Sequence, residues 1–256
     1  MLFEKIVYGP IKSRRLGLSL GVNLLPHNSK LCSFDCIYCE CGFNKKIDTP
    51  VSFPTVSEVD IAIENALIVL KKENTFPDVI TFAGNGEPTL HPDFNKIIDN
   101  TISLRNKYAP KAKIAVLTNG VHVSKMSVFN ALEKVDCNIL KLDAGIDATA
   151  RLIDRPASYT YSVEKQIELY KKFDGNFILQ TMFLTGEFNG KKIDNTSENE
   201  IKAWLEVVQK LKPCSVMLYT IDRITPAKNI CKVSFQKLKE IAESVNRLGI
   251  DTIVAE

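Results

Sequence analysis

Residues 78–94 read DVITFAGNGEPTLHPDF. The first seven are β-prone and mostly apolar, and they end on glycine; a polar turn follows, and then apolar residues at helical spacing. This strand-then-helix unit repeats. KIAVLTN (113–119), NILKLDA (138–144), NFILQTMFL (176–184) and CSVMLYTI (214–221) are each followed by helical periodicity, and LGLSLGVNLL (16–25) supplies a first strand ahead of them. Runs that hardly alternate between polar and apolar residues read as parallel strands buried on both faces. The count is about six β/α units, too few for an eight-stranded barrel. The expected fold is therefore α/β, a partial, open (β/α)6 barrel with its chemistry at the carboxyl ends of the strands.

Helix signals fill the intervals. After the punctuation at 53–57, Val59, Ile63, Ala66, Leu67 and Leu70 predict a helix running to about Lys72. Ser197 and Glu200 have the spacing of a capping box ahead of Ile201, Trp204, Leu205, Val208 and Leu211, and Pro213 stops that helix. Leu238, Ile241, Ala242, Val245 and Leu248 predict another, closed by Gly249. The Trp and aliphatic stripes are core. No repeat, low-complexity tract or proline-rich linker interrupts the pattern, so a single domain is expected over 1–256, with an arm and the first strand at 1–31 and a cysteine loop at 32–41.

A chain of 256 residues, 45% hydrophobic and 25% charged, is long enough to bury a large core. A net charge of +3 makes no global demand for nucleic acid. No run approaches the roughly 18 apolar residues of a membrane span, and MLFEKIVYGPIKSRR lacks a signal-like apolar stretch. The expected compartment is the cytoplasm, where clustered cysteines point to metal or redox chemistry before disulfides.

Such a cluster exists. CSFDCIYCECG (32–42) gathers Cys32, Cys36, Cys39 and Cys41, four of the seven cysteines in the chain. Two readings are open. Four close thiolates bind zinc tetrahedrally, although zinc sites usually come as two separated knuckles and Cys39 and Cys41 stand awkwardly close for one ion. Alternatively, Cys32, Cys36 and Cys39 hold three irons of a 4Fe-4S cubane and leave the fourth iron open.

The C-x3-C-x2-C spacing, with Tyr38 immediately before the third cysteine, resembles the signature of the radical S-adenosylmethionine (radical SAM) enzymes. The resemblance extends over most of the chain, since GNGEP (84–88) lies after the second expected strand, where that superfamily carries its methionine-binding segment. YGPIKSRRLGLSLGVNLLP, TFAGNGEPTLHPDF, KLDA, IDRP and YTIDR look like a group of iron-sulfur oxidoreductases similar to wyosine synthases. The resemblance implies an enzyme with a 4Fe-4S cluster and S-adenosylmethionine (SAM). Reductive cleavage of SAM would yield methionine and a 5'-deoxyadenosyl radical that abstracts hydrogen from a substrate. It also implies a one-electron donor such as flavodoxin or ferredoxin. The competing class is a non-catalytic zinc- or cluster-bearing binding module.

The same resemblance distributes roles among the strand ends. Cys32, Cys36 and Cys39 would ligate the cluster, and Cys41, excluded from the iron that SAM occupies, would pack or tune beside it. Gly84, Asn85 and Gly86 would bring backbone close to a ligand, and Glu87 would accept from an ammonium; the plain alternative is a strand-to-helix turn. Thr118 and Asn119 stand at the ribose-binding position or simply end a strand before Gly120. Many relatives have serine where this chain has Lys141, which would pair with the methionine carboxylate or serve substrate. Asp143 is a ribose partner or a turn residue. Gln180 places an amide in the barrel interior, where SAM or another barrel residue must satisfy it. Tyr219 lies where the superfamily's sixth strand flanks adenine.

Other polar residues carry less. In RLIDRP, Arg151 and Arg155 are shaped for anions, or together with Asp154 form a solvated charge cluster, and Lys12, Arg14 and Arg15 pose the same choice. His27, His91 and His122 lack metal-ligand spacing. Cys137, Cys214 and Cys231 are isolated, and no cysteine precedes Cys32, so one cluster is expected. The polar stretch 185–199 reads as a loop overhanging the barrel mouth as a lid. With Arg14, Arg15, Arg151 and Arg155 it suggests an anionic small molecule or nucleotide-like substrate in preference to bulk tRNA.

Overall fold

A computed structural model describes residues 2–45 and 51–255; the expected single domain, drawn over 1–256, includes positions outside them. The chain divides into two compact units interleaved in sequence. One comprises Met1–Cys32, Asn44–Thr118 and His122–Asn138; the other comprises Ser33–Phe43, Asn119–Val121 and Ile139–Glu256.

In the first unit, β1 (Val7–Ser13) and β2 (Gly17–Val22) form an antiparallel hairpin in which Val7 faces Val22 and Ser13 faces Gly17. The residues before 16, expected as an arm, thus contribute a strand. Gly9 and Pro10 hid the strand, because proline cannot donate to a ladder; they sit where the register shifts between Tyr8 and Ile11, as at a bulge. Strand β2 then pairs in parallel with β3 (Val79–Phe82), and β3 with β4 (Lys113–Thr118), which aligns Leu20 with Ile80 and Ile80 with Ile114. Helix α1 (Val56–Lys72) buries Val59, Ile63, Leu67 and Leu70 of the expected stripe and leaves Ala66 half-buried. It opens with a capping box: Glu58 N–H donates to Thr55 Oγ1 at 3.3 Å, and Thr55 N–H donates to Glu58 Oε2 at 2.7 Å. Helices α2 (Phe94–Tyr108) and α3 (Met126–Glu133) follow β3 and β4.

Strand β5 (Cys137–Lys141) passes into the second unit at Ile139. There β5, β6 (Ile178–Phe188), β8 (Ser215–Thr220) and β10 (Asp251–Ala255) pair in parallel in that order. The connecting helices are α4 (Asp147–Asp154), α5 (Val163–Tyr170), α6 (Glu198–Leu211) and α7 (Phe235–Asn246). Each unit thus carries three β/α repeats, as the count required. Strand β10 was not anticipated, because DTIVA is short.

Two expectations fail here. Residues 185–199 do not begin as a loop: β6 continues to Phe188 and turns back as β7 (Lys191–Asp194), and β9 (Ile230–Lys232) pairs on its other side. The turn is Asn189-Gly190, with φ values of 51° and 74°, the dipeptide most suited to positive φ at both hairpin positions. The signal lay in the sequence and was outweighed by the polarity around it. The Ser197–Glu200 capping box also does not form. Ser197 is the N-cap residue but its side chain makes no cap bond. Glu200 is buried and accepts instead from the Thr149 hydroxyl.

Among the described residues no helix is long and apolar enough to cross a membrane.

Candidate functional site

In the first unit the GNGEP turn is built against the residues that lead into Cys32. Leu31 N–H donates to the Asn85 carbonyl at 2.8 Å, and Glu87 N–H donates to the Leu31 carbonyl at 3.0 Å, a single parallel bridge. Gly86 has φ 141°, and a Cβ there would stand 1.8 Å from the Leu31 carbonyl oxygen, so only glycine permits the bridge. Asn85 is buried and its side chain is spent inside the protein: Nδ2 donates to the Phe3 and Pro26 carbonyls (2.9 and 2.8 Å), and Oδ1 accepts from Phe3 N–H at 2.8 Å. Asn23, absent from the expected site, accepts from Asn85 N–H at 3.0 Å and orients the turn. Glu87 is buried, and its Oε1 accepts from Thr89 N–H (3.1 Å) and from the hydroxyls of Thr89 and Thr118 (2.6 Å each). The Glu87 and Thr118 side chains expected at the site are therefore joined directly.

The second unit holds Cys36, Tyr38, Cys39 and Cys41. Cys39 N–H donates to the Cys36 carbonyl at 3.1 Å and Gly42 N–H to the Cys39 carbonyl at 2.9 Å, two successive turns. Cys36 is buried; Cys39 and Cys41 are partly exposed. Lys141, Asp143, Asp154 and Tyr38 form one buried network. The Lys141 ammonium donates to both Asp143 and Asp154, and the Tyr38 hydroxyl donates to Asp143. The second oxygen of Asp143 accepts from Met182 N–H at 2.9 Å. Burial pushes Asp154 up to about 7, with Asp143 adding to that push and Lys141 opposing it. Burial disfavours the Lys141 ammonium, but Asp143 and then Asp154 outweigh it and hold the group well above its ordinary range. Burial and then Asp143 likewise raise Tyr38.

A solvated charge cluster, one of the two readings for Asp154, does not fit a residue that is 1% exposed. Its neighbours differ too. Arg151 donates to the carbonyls of Tyr159 and Tyr161. Arg155 pairs with Asp35 at 3.3 Å and lies 4.9 and 5.3 Å from the ring centroids of Phe43 and Phe188. Asn119 Nδ2 donates to Ser33 Oγ at 2.8 Å, and its carbonyl accepts from Gln166 and Tyr170. Gln180 is buried in β6, and Tyr219, in β8, is half-buried.

Comparison with known proteins identifies the family. A model of the Radical SAM superfamily matches residues 29–198, a span that contains all three cysteines of the motif. The chain belongs to the radical SAM superfamily of enzymes. A protein named GTPase Obg from Brachyspira hyodysenteriae is 34% identical over 257 residues; the match covers 98% of this chain but only 35% of that protein. Among solved structures, a radical SAM methyltransferase from Sphaerobacter thermophilus aligns with a TM-score of 0.68 at 16% identity, covering 92% of this chain and 65% of its own. TYW1 with a lysine-pyruvate adduct bound aligns with a TM-score of 0.63 at 15% identity, covering 90% and 73%. These likenesses show the fold class, the α/β open partial barrel of the superfamily.

Membership implies SAM and an iron-sulfur cluster, and the donor set fits. Three thiols stand at C-x3-C-x2-C spacing, the donor type and number suited to three irons of a cubane, and backbone turns hold Cys36 and Cys39. Among the described residues no three His, Cys, Asp or Glu side chains are drawn around one point, so the fit rests on donor chemistry and spacing.

Proposed function

We propose that the protein reductively cleaves SAM and uses the resulting 5'-deoxyadenosyl radical to remove hydrogen from an anionic small molecule or nucleotide-like substrate. The observation that carries the reading is the cysteine triad, Cys32, Cys36 and Cys39, inside the matched superfamily region. These thiolates would hold three irons of a 4Fe-4S cluster, and the cluster with SAM supplies one-electron cleavage of the sulfonium. A flavodoxin or ferredoxin would deliver that electron.

The remaining residues bind and orient. The GNGEP turn offers backbone at a rigid, glycine-shaped surface, and Glu87 is fixed by three donors in that surface. Gln180 presents a buried amide from β6, suited to a polar cofactor atom. Thr118, Asn119, Asp143 and Tyr219 are the ribose- and adenine-side candidates. Lys141 already serves two carboxylates, which supports a role inside the protein over direct service to the methionine carboxylate. Support for an anionic substrate comes from Arg155, whose guanidinium lies 4.9 and 5.3 Å from the ring centroids of Phe43 and Phe188 and pairs with Asp35 of the cysteine loop.

Anaerobic purification and reconstitution test the reading. The expected protein is brown, binds iron and sulfide, and forms 5'-deoxyadenosine from SAM under reduction; Ala at Cys32, Cys36 or Cys39 abolishes both properties, while Cys41→Ala keeps them. A colourless protein with stoichiometric zinc would instead establish the binding module. Strongly salt-dependent binding of small RNA would move the substrate class to RNA.

A further inference from the structure

We propose that Lys141 is a positioning residue, whose ammonium ties the Tyr38 segment of the cysteine loop to the end of β5 and to α4 and so holds Cys36 and Cys39 in place. The inference rests on the reading of those cysteines as cluster ligands, and it concerns how this chain presents them.

The loop is fastened to α4 on its backbone side. Asp35 N–H donates to the Asp154 carbonyl and Ile37 N–H to the Ile153 carbonyl, each at 3.0 Å. It is fastened to β5 through a side chain, since the Tyr38 hydroxyl donates to Asp143. These two fastenings end on carboxylate-bearing residues of different elements, and Lys141 joins the two carboxylates. The ammonium also stands 5.1 Å from the Tyr38 ring centroid and 5.9 Å from that of Phe34, within cation–π range of two loop rings. Cys36 and Cys39 flank the fastened pair Ile37 and Tyr38. A serine at position 141 would be too short to span both carboxylates. A lysine has the reach and three donors, and without it Asp143 and Asp154 would face each other buried and uncompensated. The side chain of Lys141 is 13% exposed, consistent with a tie rod and not with an open ligand contact.

Hydrogen exchange on the full chain, measured before and after anaerobic reconstitution, tests this. In Lys141→Met the amides of residues 35–42 are expected to exchange at least tenfold faster, while those of Leu31 and Glu87, bonded in the other unit, keep the wild-type rate. Tyr38→Phe, which removes only the hydroxyl, gives a smaller rise over the same residues. After reconstitution the midpoint potential of Lys141→Met departs from wild type, and Lys141→Arg restores part of the difference. Unchanged exchange over 35–42 in the folded variants overturns the proposal, as does a uniform rise along the chain. If Lys141→Met does not fold, Tyr38→Phe decides alone by the same two criteria. Failure of the wild type to take up a cluster would refute the proposed function and leave the exchange result standing.

Discussion

Each unit of the protein buries a carboxylate near residues expected to be functional, and the two do so by different means. Glu87 is served by neutral donors, two from the turn it belongs to and one from Thr118. Asp154 is served by an ammonium that also serves Asp143, so two carboxylates share one buried cation. In the first solution the carboxylate takes backbone and hydroxyl donors on a glycine-shaped turn. The second carries an excess of acid in a dry place, and its protonation follows pH. A hydroxyl-capped carboxylate is a fixed part, whereas a carboxylate in a crowded ion network is a variable one.

The rigid turn can be broken most severely. Gly86→Ala would place a methyl 1.8 Å from the Leu31 carbonyl oxygen and is expected to cost more than about 4 kcal/mol, seen as loss of folded protein. Gly42→Ala is the control: φ is 85° but nothing lies within 4 Å of the new methyl, so denaturant unfolding should report only about 1–2 kcal/mol. A smaller loss sharpens the contrast between carboxylates. Glu87→Ala strands the Thr89 and Thr118 hydroxyls and the Thr89 N–H, and a loss of about 2–3 kcal/mol is expected in denaturant unfolding.

Asp154 should behave otherwise. With its folded pKa about 7 and its unfolded value near 3.8, the native state holds a proton that the unfolded chain has released between those pH values. Stability contributed by this group is therefore greatest at acid pH, falls as pH rises from about 4 to 7, and levels off above, with a slope of at most about 1.4 kcal/mol per pH unit. Asp154→Asn should flatten that slope in denaturant midpoints measured across the window. An unchanged slope would mean that Lys141 holds Asp154 ionised and that the two carboxylates differ less than their surroundings suggest.

The smallest effects concern the two S/T-x-x-E sequences. Thr55→Ala removes a formed box and should cost about 1 kcal/mol, whereas Ser197→Ala removes no side-chain cap bond and should cost under about 0.5 kcal/mol. Equal losses in thermal unfolding would erase the distinction.

The same spacing with two outcomes shows how far local signals reach. Thr55 and Glu58 face solvent, so nothing competes for either side chain; Glu200 is buried, where Thr149 is available to it. The Asn189-Gly190 hairpin was legible, and was obscured only by the expectation that polar residues mean loop. Strand β1 was hidden because its proline and glycine sit at a register shift that exists only once β2 is paired.

The sequence by itself determined what depends on neighbours along the chain: the alternation of strand and helix, the core stripe of α1, the three-cysteine spacing, and the glycine-rich turn after β3. Those features are set by periodicity, backbone freedom and the reach of a few consecutive residues. Tertiary structure alone decided that Asn85 is spent on Phe3 and Pro26, that Glu87 meets Thr118, and that Lys141, Asp143 and Asp154 share one buried charge network with Tyr38. The reason is physical. A charged side chain has no preferred partner in sequence, and its surroundings become costly only when folding removes water, so its role is set by whichever opposite charge the fold buries beside it.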